Sequence, residues 1–318
     1  MKLKYLFIAA VALLTVSCGD DDLDSQSIFH DEVVEQNDFD KWLQQNYVDS
    51  FNIQFKYRFE YKESDTDYNL APADYDKAIT MAKLTKYLWL DVYAKLAGKD
   101  FIRTYCPKIL MLVGSLAYDD GQVKLGTAEG GLKITLYNIN RLDLNDPGVD
   151  IDFLNKWYFH TMHHEFAHIL HQTKDYPTEF NEVTKTSYQG PAWINLNDSV
   201  TCFKMGFVGN YASMEAREDF VEVIATYITS EDDRWNYLLA RADTSYHHDI
   251  PDAYKNYVGK DVNGKELLLK KLEIITKWFK ESWGIDINEL RREVLYRSKH
   301  YRELDFKDIS VNEDNEKK

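Results

Sequence analysis

The sequence predicts an α+β fold with a mixed sheet, a histidine-rich active-site helix near the middle of the chain and a mostly helical C-terminal part. Segments that alternate apolar and polar residues, as half-buried strands do, occur within the first 140 residues. Beyond residue 222 the apolar residues recur at helical spacing. With 318 residues, 44% of them hydrophobic, the chain can bury the core of one sizeable domain, or of a large domain with a subdomain, and this domain is expected at residues 33–309.

The individual elements follow from the same periodicities. Alternation over residues 53–61 and 133–139 predicts two strands, and residues 108–113 are also strand-like. Residues 73–97 are predicted to form a long helix, and a second is expected over residues 153–172. Two more helices are expected near the C-terminus, the last beginning at a capping-box-like sequence, residues 286–289. The first of these two has an apolar stripe formed by Leu267, Leu268, Leu272, Ile275, Trp278 and Phe279.

The N-terminus has the features of a lipoprotein signal peptide, residues 1–17. A basic start is followed by an apolar stretch, residues 5–14, that is too short to cross a bilayer. Residues 15–18 resemble a lipobox ending at Cys18, although Thr15 departs from the usual leucine. We therefore expect lipid attachment at Cys18, an acidic tether over residues 18–32 and, at the other end of the chain, a disordered tail over residues 310–318.

Charge and cysteine content exclude several classes of protein. The chain has 38 basic and 53 acidic side chains, and its net charge of −15 disfavours binding to nucleic acid or to an anionic membrane surface. After Cys18 only Cys106 and Cys202 remain, so at most one internal disulfide can form and a cysteine-rich zinc site is excluded. The sequence leaves open whether these two cysteines form a disulfide or two buried free thiols.

The most informative residues are His164-Glu165-Phe166-Ala167-His168, an H-E-x-x-H sequence inside the second predicted helix. Two histidines four residues apart stand one above the other on a helix, so both imidazoles can reach one metal ion. Glu165 is rotated by about 100° from His164, which places its carboxylate beside the metal as a base for water. We therefore expect His164 and His168 to bind zinc and Glu165 to be catalytic.

Spacing also separates the roles of the other histidines on this helix. At about 1.5 Å rise per residue, His171 lies roughly 10 Å from His164 along the axis, too far to share its metal, and is expected to support the site. His160 could pair with His164, but no glutamate would then occupy the base position. His163 lies toward the apolar flank and is expected to be a packing residue. The histidine face opposes an apolar face of Phe159, Met162, Phe166, Ile169 and Leu170.

A catalytic zinc needs a third protein ligand. Position 174 is a lysine, so a third histidine does not follow closely after the helix. The best segment is residues 211–228, where a helix would have an apolar stripe on one side and Glu215, Glu218 and Glu222 on the other. Such an acidic stripe is also typical of a solvated helix face, but two histidines in need of a carboxylate favour ligation. The residues alone leave the choice of carboxylate open.

H-E-F-A-H followed by E-D-F-V-E resembles the glutamate-type zincins, a class of zinc metallopeptidases. The resemblance implies a zincin-like fold with one Zn²⁺ per chain, Glu218 as the third ligand and Glu222 as the residue that supports a metal-binding histidine. A Tyr-Ala pair seven residues before the ligand glutamate is similar to that in the catalytic domain of anthrax lethal factor. Tyr211 is therefore a candidate to stabilise the oxyanion, with plain packing as the alternative.

The acidic residues after Cys18 resemble the export signal of surface-displayed Bacteroidetes lipoproteins. With the metal-binding sequences, the whole chain resembles the zinc metallohydrolase lipoproteins associated with nutrient-import systems of that phylum. This implies an outer-membrane, cell-surface protein that touches the membrane only through its lipid, acts on a peptide or glycoprotein and associates with an import complex. In zincins a strand before the active-site helix pairs with substrate, so residues 132–139 are a candidate substrate edge, or else an ordinary internal strand.

These expectations together favour zinc-dependent hydrolysis of an amide bond, most simply in a peptide. The alternative is a catalytically silent lipoprotein that keeps a zincin fold and uses its cleft to hold ligand for an import complex. An intact Glu165 favours the enzyme, because a structural metal site gains little from a neighbouring base. His247 and His248, in a later loop, could supply an electrophile, although paired loop histidines are more often surface residues.

Overall fold

The computed structural model describes residues 35–59, 69–119, 122–124, 126–129, 131–258 and 262–311. The predicted signal peptide (1–17), Cys18, the tether (18–32) and residues 312–318 of the predicted tail lie outside the described residues. The described residues from Asp38 onward form one compact unit. Among the described residues, no helix combines the length and apolar character needed to span a bilayer.

Six strands form two sheets within the described residues of the first half of the chain. They are β1 (Gln54–Lys56), β2 (Ile109–Leu112), β3 (Ala117–Asp119), β4 (Gln122–Lys124), β5 (Gly126–Glu129) and β6 (Lys133–Leu136). The larger sheet has the order β1-β2-β6-β5, and β3 pairs with β4 in a separate antiparallel hairpin. β2 is parallel to both β1 and β6, whereas β5 is antiparallel to β6. The predicted mixed sheet is therefore confirmed.

Two details of the predicted strands differ from the structure. The strand predicted over residues 53–61 is shorter in the structure, because β1 pairs with β2 only from Gln54 to Lys56. Residues 60 and 61 of that prediction lie outside the described residues. Residues 132–139, the candidate substrate edge, contain β6, which is paired on both sides. The alternative, an ordinary internal strand, is confirmed, and the edge positions of this sheet belong to β1 and β5.

Helices supply most of the remaining structure. The α-helices are α1 (Asp38–Leu43), α2 (Asp49–Phe51), α3 (Tyr75–Thr85), α4 (Asp91–Ala97), α5 (Lys99–Tyr105), α6 (Ile151–Leu154), α7 (His160–Thr173), α8 (Glu179–Val183), α9 (Ser199–Lys204), α10 (Ala216–Thr229), α11 (Asp232–Ala242), α12 (Gly264–Trp278) and α13 (Ile287–His300). In the part of the chain that the structure describes, π-helical segments adjoin them at Gln44–Val48, Lys86–Leu90, Asn155–Phe159 and Phe279–Trp283. The 3₁₀ turns are Ile139–Arg141, Gly190–Asn195, Tyr211–Ser213, Asp252–Tyr257 and Tyr301–Glu303.

The helix boundaries agree with the local sequence signals. The helix predicted over residues 73–97 is α3 and α4 joined by a π-helical segment, and it ends at Gly98, whose φ of +89° favours glycine. The last helix begins where predicted, because the Asp286 side chain accepts hydrogen bonds from the backbone N–H groups of Asn288 and Glu289. The C-terminal part is helical as expected.

Candidate metal centre

Helix α7 carries the H-E-x-x-H residues and is fixed by its apolar face. The helix expected over residues 153–172 is confirmed as α6, a π-helical segment and α7 in succession. Phe166, which is fully buried, meets the rings of Trp89, Tyr93 and Phe101 edge-on at 5.6, 4.9 and 5.9 Å. Because these rings enclose Phe166, the opposite face of α7 is held against its neighbour α10.

Three side chains converge between α7 and α10. The Nε2 atoms of His164 and His168 are 3.1 Å apart, and each lies 3.3 Å from Oε2 of Glu218. His164 is buried, and the other two side chains are about 15% exposed. The three residues that the sequence and the resemblance single out as ligands are therefore brought together around one point, which we call the His164–His168–Glu218 triad.

The dimensions of the triad match tetrahedral zinc. Zinc–nitrogen and zinc–oxygen bonds of 2.0–2.2 Å place adjacent tetrahedral ligands about 3.3–3.6 Å apart. The observed separations of 3.1 to 3.3 Å come close to this value without rearrangement of the backbone. Two imidazoles and one carboxylate also form the donor set of a catalytic rather than a structural site, because they leave a fourth position for water or substrate.

A second group of possible ligands lies one helical turn earlier and has different dimensions. Oε1 of Glu222 is 2.7 Å from Nδ1 of His164 and 3.0 Å from Nε2 of His160. A separation of 2.7 Å suits a charge-assisted hydrogen bond and is short for two ligands of one zinc ion. Glu222 is thus an acceptor shared by two imidazoles, and the contact of His160 is one that sequence reasoning missed.

Electrostatics in this cluster favour a positive charge at the triad. Burial alone lowers the pKa of His164, but hydrogen bonds with Glu218 and Glu222 outweigh it and raise that pKa to about 10. Burial likewise raises the pKa of Glu218, yet hydrogen bonds from His164 and His168 lower it to about 2. The pKa of Glu222 is lowered by His160 and His164 in the same way. A divalent cation would supply the positive charge that these carboxylates stabilise.

The two remaining histidines of the helix differ in role. His171 is buried, and its Nε2 lies 3.0 Å from Nδ1 of His168, which is the contact that a supporting residue requires. Burial, together with the charges of His168 and Arg217, lowers the pKa of His171 to about 4, so its ring is neutral and can accept a hydrogen bond. His163 is a fully buried packing residue, as predicted, with Nδ1 2.9 Å from the Tyr93 hydroxyl.

Glu165 and Tyr211 border the triad without belonging to it. The carboxylate of Glu165 forms no hydrogen bond or ion pair with the described residues, and burial raises its pKa, against the charges of His164 and His168. The ring of Tyr211 lies 6.0 Å from that of His164. Burial and the neighbouring charge of Glu218 raise the pKa of Tyr211. Both candidate catalytic residues therefore lie at the site.

Helix α10 is anchored by residues that the sequence analysis did not single out. Asp219, the neighbour of Glu218, is fully buried, and its Oδ2 lies 2.5 Å from Nζ of the equally buried Lys271 on α12. Tyr188 also donates to this oxygen at 2.8 Å. The available signal was Lys271 itself, which lies within the apolar stripe of α12 at helical spacing from Leu268 and Ile275.

Other candidate residues lie outside this cluster. Nε2 of His248 is 2.5 Å from Oδ2 of Asp198, the residue that caps α9, and His247 is exposed on the loop. The surface interpretation of this pair therefore fits the structure better than an electrophilic role. Cys106 and Cys202 are buried free thiols, so the alternative of a disulfide between them is wrong.

His164, His168 and Glu218 lie at the separations expected of zinc ligands, and Glu165 beside them forms no hydrogen bond or ion pair with the described residues. This arrangement defines a candidate hydrolytic metal centre. The chain belongs to a family of zinc-binding metallopeptidases, since the family described as "Putative zinc-binding metallo-peptidase" matches residues 32–288. A crystal structure of a "putative zinc-binding metallo-peptidase" from Bacteroides caccae is 38% identical, with a TM-score of 0.72 over 89% of this chain and 100% of that one. No curated protein matches the chain.

Proposed function

We propose that the protein is a zinc-dependent peptidase that binds one zinc ion per chain through His164, His168 and Glu218 in a zincin-like site. The observation that carries the proposal is the convergence of their three ligand atoms at 3.1 to 3.3 Å, next to the carboxylate of Glu165. When bound, zinc would polarise the scissile carbonyl and acidify a water molecule. Membership of a zinc-binding family supports the choice of metal.

The residues around the triad prepare the ligands. With Nδ1–H of His164 donating to Glu222 and Nδ1–H of His168 donating to His171, both histidines keep the Nε2 lone pair for the metal. Hydrogen bonds of this kind fix the tautomer and the ring orientation at once. Glu222 and His171 thus act through the histidines and do not touch substrate.

Glu165 and Tyr211 handle the reacting atoms. Glu165 takes a proton from the attacking water and later delivers it to the leaving amine, a role open to a carboxylate that has no other partner among the described residues. The Tyr211 hydroxyl would donate a hydrogen bond to the oxyanion of the substrate, a role supported by the 6.0 Å separation between the rings of Tyr211 and His164. A catalytically silent binding protein has no use for this arrangement of base and donor, which favours the enzyme over the alternative.

Location and partners form a second part of the proposal. The lipobox-like residues before Cys18 and the acidic residues after it support a lipid-anchored protein on the outer surface of the outer membrane. With a net charge of −15, the chain itself has little attraction to anionic lipid, so the lipid would be its contact with the membrane. A peptide or glycoprotein substrate, supplied to a nutrient-import complex, fits such a location.

The test of the activity is to compare the wild type with Glu165→Gln on a mixed peptide library read by mass spectrometry. The variant should keep its zinc and its fold but lose about 10²–10⁴-fold in rate, because general acid–base help is worth about that much. Glu215→Gln, which changes an exposed carboxylate at the start of α10, is the matched control and should cleave as the wild type does. If neither wild type nor control cuts any peptide while both hold zinc and bind the same ligands, the binding alternative replaces the enzyme.

A further inference from the structure

The 3₁₀ turn Gly190–Asn195 is an exposed apolar segment near the metal centre. None of its six residues is buried, although four of them, Pro191, Ala192, Trp193 and Ile194, are apolar. Ile194 is 43% exposed, which makes it one of the few large aliphatic side chains on the surface of the described residues. Apolar side chains in a surface turn contribute little to the fold, so their position beside a candidate active site suggests another role.

Backbone hydrogen bonds hold this turn in a fixed place. The N–H groups of Gln189 and Gly190 donate to the carbonyl oxygens of Ser213 and Met214, at 2.7 and 3.1 Å. Gly190 has a φ of +54°, a conformation that favours glycine, and Leu196 buries its side chain completely where the turn ends. The backbone that carries the exposed apolar side chains is therefore already ordered. Less conformational entropy is lost when a ligand binds to them.

A short series of aromatic rings connects this turn to the zinc ligands. The Trp193 ring meets Tyr211 edge-on at 5.0 Å, and Tyr211 lies 6.0 Å from the ring of His164, so Trp193 is within 11 Å of that ligand. An extended peptide advances about 3.3–3.6 Å per residue. A substrate held with its scissile bond at the triad would thus reach Trp193 within about three residues.

We propose that Trp193 and Ile194 form a substrate subsite that binds an apolar or aromatic side chain within about three residues of the scissile bond. This inference rests on the proposed peptidase function and adds a substrate class to it. The contact with Tyr211 holds the large, rigid ring of Trp193 in place, and this ring is only partly buried. An apolar side chain that packs on the Trp193 ring removes apolar surface of both partners from water, and the neighbouring Ile194 adds further exposed apolar surface.

The first experiment measures binding and does not need turnover. Zinc-loaded Glu165→Gln protein is titrated by calorimetry with two matched peptide sets, one carrying Phe or Leu at successive positions and the other Ser at the same positions. We expect Phe and Leu peptides to bind about ten-fold more tightly at one position, and this preference to disappear when Trp193→Ala is added. Trp193→Phe should restore part of it, whereas Tyr296→Ala, which removes a 58% exposed aromatic ring from α13, should leave it unchanged.

The second experiment repeats the peptide-library digestion with wild type, Trp193→Ala and Tyr296→Ala. Loss of a Phe or Leu preference at one position only in Trp193→Ala supports the subsite. Retention of the wild-type preference by Trp193→Ala overturns it and leaves the peptidase function standing. If no variant cleaves but the Trp193-dependent binding persists, the peptidase function fails and the apolar binding site survives. Trp193-dependent binding of glycans in place of peptides would overturn the assignment of an apolar side chain.

Discussion

The zinc affinities of two alanine variants should distinguish the roles of Glu218 and Glu222, the two glutamates of α10 that face α7. Glu218 supplies one of the three atoms of the triad, so Glu218→Ala should leave two histidines and a protein that is largely metal-free after dialysis. Glu222→Ala keeps all three ligand atoms but removes the 2.7 Å hydrogen bond to Nδ1 of His164. Hydrogen bonds to charged groups are worth about 1.5–3 kcal/mol. Glu222→Ala should therefore raise the zinc dissociation constant by roughly 10–150-fold.

The measurement is a competition titration against a chromogenic chelator, with metal content checked by mass spectrometry. Glu215→Ala is the matched control, because it removes an exposed carboxylate next to the same helix and should leave zinc affinity unchanged. Thermal melts of the apoproteins show whether each variant is folded. If Glu218→Ala binds zinc as tightly as the wild type, the ligand assignment is wrong, and if Glu222→Ala is the metal-free variant, the ion occupies the earlier group that includes His160.

Four further predictions follow from single features. His160→Ala should weaken zinc binding less than Glu222→Ala does, and His160→Gln should bind more like the wild type because its amide can still donate to Glu222. Equal zinc affinity of the wild type, His160→Ala and His160→Gln would show that His160 does not position that carboxylate. Cys18→Ala should move the protein from the membrane to the soluble fraction, and unchanged retention would contradict lipid attachment. Cys106 and Cys202 should resist alkylation until denaturant is added, because burial raises both thiol pKa values, that of Cys202 to about 12. Burial raises the pKa of Glu293, but Lys95 and Arg297 outweigh burial and lower that pKa. The stabilisation from this carboxylate is therefore present above the unfolded-state pKa of about 4.3 and is lost as the pH falls through the folded-state pKa. Glu293→Gln should melt at a lower temperature than the wild type at pH 7, and this difference should shrink on acidification.

Features that depend on local periodicity could be predicted from the sequence. The amphipathic helices, the end of a helix at Gly98, the cap at Asp286 and the i,i+4 histidine pair each involve residues close in the chain. Periodicity could not show which of Glu215, Glu218 and Glu222 is the third metal ligand, because all three lie on one side of a helix. The resemblance to zincins separated them, and the structure places Glu218 and Glu222 against α7 but leaves Glu215 exposed.

The contacts that prediction missed are those between distant elements. The contact between His160 and Glu222 joins residues 62 positions apart, and it exists only because α7 and α10 pack side by side. The internal position of β6 likewise depends on its antiparallel pairing with β5. The alternation of apolar and polar residues in either strand does not show which strand pairs with it. Periodicity shows which face of an element is apolar, but it does not show which element covers that face.

Glu218 and Asp219 show how the rest of the fold sets the geometry of the site. They are adjacent in sequence and therefore point about 100° apart around α10, one toward the triad and the other into the core. A buried ion pair such as Asp219 with Lys271 gains little net stability over an apolar pair of similar size, because desolvation of both charges offsets their attraction. Any rotation of α10 that moved Glu218 away from the histidines would, however, separate Asp219 from Lys271 and leave two buried charges unpaired. The pair therefore opposes such a rotation, and the carboxylate of Glu218 stays 3.3 Å from the Nε2 atoms of His164 and His168.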